Sequence, residues 1–386
     1  MSPSLQPGKP KRRPLRRCLL LIGALAVFVS GCGTLGYYQQ AVSGQYEILA
    51  RREPISEVIA SPNTPPALRE KLRLVLDLRQ FAERELHLKT EGHYARYADL
   101  GRRYVVWNVY AAPEFSVEPK KWWYPVVGSL KYRGFFSEND ARTYGKSLAN
   151  EGYDVYVGGV DAYSTLGWFK DPVLNTFINH EPHDLAEILF HELAHQRVFA
   201  KGDTDFNEAF ATAVGEEGVR RWLQSNGDAK ARADYEAELR RKDQFVEIVM
   251  NAREEIKRVY GAESSHGPRA MQTVGSETLV NTKRAAKAEV IAKLRADYEQ
   301  LKASWGGYTG YDNWFKRPIN NARLNTIATY YLLVPAFKQL LAGSSGDLQE
   351  FYAHSEALAT LTKEKRDERM AALTAMPDGV ATTAAR

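Results

Sequence analysis

The chain has 386 residues, 44% apolar and 26% charged, proportions ordinary for a globular protein large enough to build a sizeable core. Its formal net charge of +5 arises in residues 1–31, where Lys9, Lys11, Arg12, Arg13, Arg16 and Arg17 carry +6 with no acid, leaving 5 − 6 = −1 for the rest. That distribution excludes a basic nucleic-acid surface, and two cysteines, Cys18 and Cys32, exclude a disulfide-rich scaffold.

The basic residues precede an apolar run from Cys18 to Val29, and small residues then lead to Cys32. A charged region, a short apolar core and a small-residue cleavage site describe an export signal over 1–31. The apolar run of 12 residues is short for a membrane span. "VSGC" resembles a bacterial lipobox, which implies cleavage before Cys32 and a lipid on its sulfur. An uncleaved N-terminal anchor is the competing reading, and both hold the remainder, 32–386, at a membrane outside the cytoplasm. After cleavage Cys32 is the only cysteine, so neither a disulfide nor a thiolate metal site can form within the chain. Gly33 follows it, with no Asp to retain a lipoprotein at the inner membrane. The expected location is therefore the periplasm-facing side of a bacterial envelope, at the outer membrane rather than the inner.

A linker over 51–70 feeds a helix over 67–87, in which Leu68, Leu72, Val75, Leu78, Ala82 and Leu86 recur at steps of three and four. Residues 104–112, 126–136 and 154–164 are rich in β-branched and aromatic side chains and read as strands. A short helix begins at Ser137 and stops at Gly152. Next comes "EPHDLAEILFHELAHQ", a helix with Asp184 and Glu187 as an expected capping pair. Gly202 breaks the chain, and "DTDFNEAFATAV" starts a second helix. Residues 228–304 form a long charged helical hairpin, and 320–341 a helix bent or ended near Pro335. The last residues, about 375–386, read as a frayed tail.

Chemistry concentrates in "HELAH". His191 and His195 are four apart, so both imidazoles leave one helix face and can meet one ion. Glu192 is rotated about 100° from His191, beside the ion but not bound to it. There it can act as general base toward a water activated by Zn²⁺. A catalytic zinc site needs a third protein ligand and one open position. Glu208, 13 residues after His195 and flanked by Phe206, Ala209, Phe210 and Ala213, is the choice, because a carboxylate in apolar company needs a cation. Asp203 and Asp205 compete, with helix capping as their structural role, and Asp205 could instead orient a ligand histidine. Tyr163 and Tyr330 are candidates for donors to a developing oxyanion, with Tyr331 and His266 behind them. Asn320, Asn321 and Arg323 could grip a substrate terminus. Glu216, Glu217 and Asp161 could receive a free α-amine, although solvated charge is the simpler reading of the two glutamates. Strand "VYVGGV" could pair with an extended peptide, or carry only a structural bulge.

His191-Glu192-x-x-His195 followed by Asn207-Glu208-Ala209 resembles the gluzincin metallopeptidases, although thermolysin-type members place that glutamate further along. A closer resemblance, through "WNVYAAPEFS", "PVVGSLKYRGFFSENDA", "GYDVYVGGVDAYSTLGWFKDPVLNTF", "FHELAHQ", "DTDFNEAFAT" and "NNARLNT", is to the bacterial predicted aminopeptidase family of exported lipoproteins. It implies an α+β, zincin-like domain with a small sheet beside the metal helix and a mainly helical remainder. The activity implied is that of a zinc-dependent aminopeptidase with one Zn²⁺ and peptide substrates. An endopeptidase or other zinc hydrolase on the same site, and an inactive envelope scaffold, are the alternatives. An intact Glu192 speaks against the scaffold.

Overall fold

The computed structural model describes residues 32–125, 127–162, 164–165, 169–261 and 276–375. Tyr163, His266, residues 1–31 and those beyond 375 lie outside them, as does the side chain of Cys32. No helix among the described residues is long and apolar enough to cross a membrane.

The order is α1 (Cys32–Ala50), β1 (Glu53–Pro54), α2 (Ile55–Ala60), α3 (Pro66–Arg84), β2 (Arg96–Ala98), β3 (Val106–Pro113), β4 (Trp122–Tyr124), β5 (Gly128–Leu130), β6 (Arg133–Phe135), α4 (Glu138–Asn150), β7 (Tyr153–Val160) and β8 (Val173–Leu174). From there the chain is helical: α5 (Pro182–Ala194), α6 (Thr204–Ser225), α7 (Ala229–Gly261), α8 (Ser276–Ser304), α9 (Asp312–Phe315), α10 (Asn321–Tyr331), α11 (Val334–Gly343), α12 (Leu348–Thr360) and α13 (Lys363–Thr374). Small sheets and many helices make an α+β protein, as the pattern predicts.

The sheet that builds the site has the order β6-β3-β7, antiparallel throughout, with Asn108 of β3 opposite Gly134 on one side and Gly158 on the other. Alternation along β3 divides its two faces. Trp107, Val109 and Ala111 pack with Ala141 and Leu148 of α4, whereas Val106 and Asn108 face a cavity. Ser137 caps α4 by accepting from the amide of Asp140 at 3.2 Å, and Gly152 leaves it with φ +87°, the stop expected from sequence.

The largest core joins α3, α5, α6, α11 and α12 through Leu72, Val75, Leu189, Phe206, Phe210, Phe337 and Phe351. Burying each such side chain contributes about 1.5–3 kcal/mol. The hairpin α7–α8 has a core of its own, in which Phe245, Val249 and Ile256 meet Val290, Leu294 and Tyr298.

Two expectations need correction. Residues 126–136 are not one strand. Gly128, at φ +82°, begins β5, which pairs with β4, and a bend at Lys131 and Tyr132 then separates it from β6, which joins β3. Asp184 and Glu187 do not cap α5. Glu181 occupies that position without a side-chain bond, and Pro182 fills the first turn, where its missing N–H costs nothing. The helix over 320–341 ends near Pro335 as expected: α10 stops at Tyr331, and Pro335 lies in the first turn of α11.

Candidate metal centre and its cavity

Helix α5 delivers the two histidines. His195 is its C-cap residue, still in helical geometry, and its amide reaches the carbonyl of His191 at 3.4 Å, so the rings stay one turn apart. A turn then reverses the chain. Gly202 adopts φ +77°, and Asn207 clamps the turn by accepting from the amide of Ala200 at 2.7 Å and donating to its carbonyl at 2.9 Å. Asp203 caps α6 through the amide of Phe206 at 3.4 Å. Helix α6 returns against α5 at the closest distance that glycine permits. A Cβ on Gly215 would lie 3.1 Å from the carbonyl oxygen of Glu187 and 3.5 Å from Cβ of His191. That approach brings Glu208 to the histidines.

Nε2 of His191 and Nε2 of His195 are 3.2 Å apart, and Oε2 of Glu208 lies 3.4 and 3.6 Å from them. For an ion bound tetrahedrally at about 2.0–2.1 Å, adjacent ligand atoms should stand about 3.3–3.4 Å apart. The three atoms therefore fit one face of such a tetrahedron, with the fourth corner left for a water or substrate. Two imidazoles and a carboxylate are also the donor types a borderline cation takes. Burial disfavours the charge on Glu208, but His195 and the hydrogen bonds from both rings outweigh it and hold the carboxyl at about 2. Burial likewise lowers His195, yet the charge and hydrogen bond of Glu208 win and raise it. Nδ1 of His195 is buried with no hydrogen-bond partner among the described residues.

Glu192 faces the same cavity. Burial raises its carboxyl, the nearby charges of Glu208 and Asp171 add to that, and the two histidines oppose it. The carboxyl is thus more basic than an ordinary glutamate, which suits a group that must take up a proton. Tyr330 also lines the cavity, its ring centroid 6.4 Å from that of His191. Burial and the charge of Glu208 push its phenol well up, so it keeps its proton and can donate.

The cavity, about 640 Å³, lies between α5–α6, α1, the β3 face and Tyr330. It is lined mostly by apolar and aromatic side chains, among them Tyr37, Tyr132, Phe136 and Phe199. Among the described residues its acidic and imidazole side chains are His191, Glu192, His195, Glu208 and Glu187, and no Lys or Arg lines it.

Other sequence candidates sit elsewhere. Asp205 pairs with Lys131 rather than with a histidine. Asn320 caps α10, and Asn321 is fully buried, donating to the carbonyls of Pro113, Glu114 and Ser116. Arg323 is buried over Trp314 at 4.7 Å, outside the cavity lining, so none of the three grips a substrate terminus there. Glu216 is not solvated charge. It is 1% exposed, 3.0 Å from both Lys242 and Lys338. Glu217 pairs with Arg221, and Asp161 with His180. None of these acids lines the cavity, and Glu187 does. It lies one turn before His191, where the same four-residue step that picked the histidines would have found it. Its oxygens accept from Tyr235 at 2.7 Å and Lys242 at 3.1 Å. Tyr331 lines the cavity as well, and Val160 brings the end of β7 to its edge.

Fold and site together define the class, a chain of mixed α+β structure whose antiparallel helix pair aims two imidazoles and a carboxylate at one point in an apolar cavity. The chain belongs to the family described as "Putative aminopeptidase", whose family model matches residues 36–370. No curated protein and no solved structure matches it.

Proposed function

We propose that the protein is a zinc-dependent aminopeptidase of the bacterial envelope, exported by residues 1–31 and anchored by lipid on Cys32 at the periplasmic side, in preference at the outer membrane. His191, His195 and Glu208 would hold one Zn²⁺. The spacing of 3.2, 3.4 and 3.6 Å between their ligand atoms carries this reading, because it matches three corners of a zinc tetrahedron. Bound there, the ion supplies Lewis acidity toward a peptide carbonyl and toward water.

The protein groups then divide the work. Glu192 takes a proton at its carboxylate as water adds to the carbonyl, and returns it to the departing amine. Tyr330 donates its phenolic proton as a hydrogen bond to the carbonyl oxygen as charge grows there. The apolar walls exclude water and receive the side chain of the substrate's first residue.

The cavity's charge favours an N-terminal exopeptidase. A carboxypeptidase needs a cation for the free carboxylate, and no Lys or Arg among the described residues lines this cavity, whereas Glu187, held by Tyr235 and Lys242, is an acid in its wall that an α-amine could share. Metal content and hydrolysis of matched free-amine and N-acetylated peptides test the proposal. We expect one zinc per chain and cleavage of free-amine peptides alone. Equal cleavage of acetylated peptides would make the protein an endopeptidase, and zinc without hydrolysis of either would make it a scaffold. Glu192→Gln should retain zinc and lose about 10²–10⁴-fold in kcat.

A further inference from the structure

The first helix has two unlike faces. Tyr37, Ala41 and Gln45, spaced by four, line the cavity. The same side is tied down by a contact of Tyr37 and Tyr124 hydroxyls at 3.2 Å, by the amide of Phe136 donating to Gln40 at 2.8 Å, and by buried Ile48. One residue further round, about 100° away, Tyr38, Val42 and Tyr46 repeat the step of four on an adjacent face, and they are 43%, 70% and 71% exposed. No charged residue occurs from Cys32 to Tyr46.

Scattered exposed apolar residues need no explanation, but a one-turn repeat on a charge-free helix face does. What lies before the helix indicates its occupant. The 31 preceding residues end in the lipobox-like stretch, and α1 begins at Cys32 itself. A lipid on Cys32 would put the start of α1 at the bilayer surface. Tyrosine and tryptophan are the side chains that settle at the headgroup level, and an uncharged helix face meets no desolvation penalty there. Because α1 does not qualify as a span, contact along its flank is the available mode.

The geometry points to α1 as a membrane-lying strut: Tyr38, Val42 and Tyr46 rest in the phospholipid headgroup layer and orient the anchored protein. This rests on the lipid-anchor reading above. Since Tyr37, Ala41 and Gln45 line the cavity from the adjacent face of the same helix, the cavity wall lies within one helix diameter, about 10–12 Å, of the bilayer. Peptides at the membrane surface are then the nearest substrates.

The test places a photoreactive benzophenone side chain at Val42, and separately at exposed Asp234 on α7, in the full-length chain expressed in bacteria and irradiated in intact envelopes. Phospholipid adducts at Val42 should exceed those at Asp234 by about tenfold or more, as burial of one helix face in the interface requires. Equal yields, or adducts to a protein in place of lipid, would overturn the inference. Membrane sedimentation of the chain and of Cys32→Ser reports on the anchor separately. A soluble parent chain removes the anchor and this inference together. An anchored chain without lipid adducts at Val42 removes this inference alone.

Discussion

Glu208 and His195 show how one pair of residues can set acid–base behaviour on both sides of neutrality. In the metal-free protein Glu208 is held at about 2, below its ordinary 4.5, while His195 is raised above its ordinary 6.5. A depressed carboxyl stabilises the fold above pH 4.5 and loses that contribution as pH falls toward 2. A raised imidazole stabilises below pH 6.5 and loses its contribution as pH climbs through its folded value. The pair therefore contributes most between about pH 4.5 and 6.5. Urea midpoints of chelated parent and Glu208→Gln should differ most in that window and converge at either side. A constant difference across pH would show that the two groups are not coupled. In the metal-loaded state protons compete with the ion for the same nitrogens, so apparent zinc affinity should rise with pH. Glu208→Ala should lower that affinity by more than about 100-fold, the upper range for loss of a group that only supports a ligand. Near-parental affinity in a competition titration would reassign the third ligand.

The site depends on how closely two elements approach. Helices α5 and α6 touch through Gly215 and Gly218, and a Cβ at Gly218 would come within 2.6 Å of the Phe190 ring and 2.9 Å of Leu86. Alanine in a helix interior ordinarily gains about 1 kcal/mol over glycine. Here overpacking against a fully buried ring should reverse the sign, for a net loss of about 1–3 kcal/mol. Because Phe190 adjoins His191, zinc affinity should fall with it. Denaturant midpoints and metal titration of Gly218→Ala check both, and a stabilised variant with unchanged affinity would show that the helices have room to separate. The pattern of "HELAH" revealed the first helix and its ligand face. Neither glycine announced its role, since a glycine within a helical pattern reads only as a propensity cost until the partner helix is known. Asn207 was legible as part of a motif, but its bonds to Ala200 across the turn were not.

Over the whole molecule, the core and the candidate metal site draw on different side chains. The large cluster around Phe206, Phe210, Phe337 and Phe351 is built from side chains other than His191, His195 and Glu208, and Arg366 of α13 reaches buried Asp203 at 2.9 Å to tie the C-terminal helices to the start of α6. Chelation should thus abolish hydrolysis while leaving far-UV circular dichroism intact. Readdition of zinc at 100 times its Kd should raise stability by about 2.7 kcal/mol through mass action. Loss of helical signal on chelation would make the ion a folding element.

What the amino-acid order determined alone is whatever depends on local periodicity: the two histidines on one face with Glu192 about 100° round from His191, the capped helix at Ser137, the hairpin over 228–304, and the first 31 residues that carry all of the excess charge. Glu208 could be nominated too, because an acid among Phe206, Ala209 and Phe210 must be paired or neutralised once it is buried. Tertiary structure decided the rest. It turned Asn321 and Arg323 into buried struts, assigned Glu216 to two lysines, chose Glu187 for the cavity wall, and left Tyr38, Val42 and Tyr46 bare on α1. The physical reason is common to all of them. A side chain's role follows from the atoms that surround it, and in this chain those atoms come from elements distant in sequence, whose approach is fixed only when the core closes.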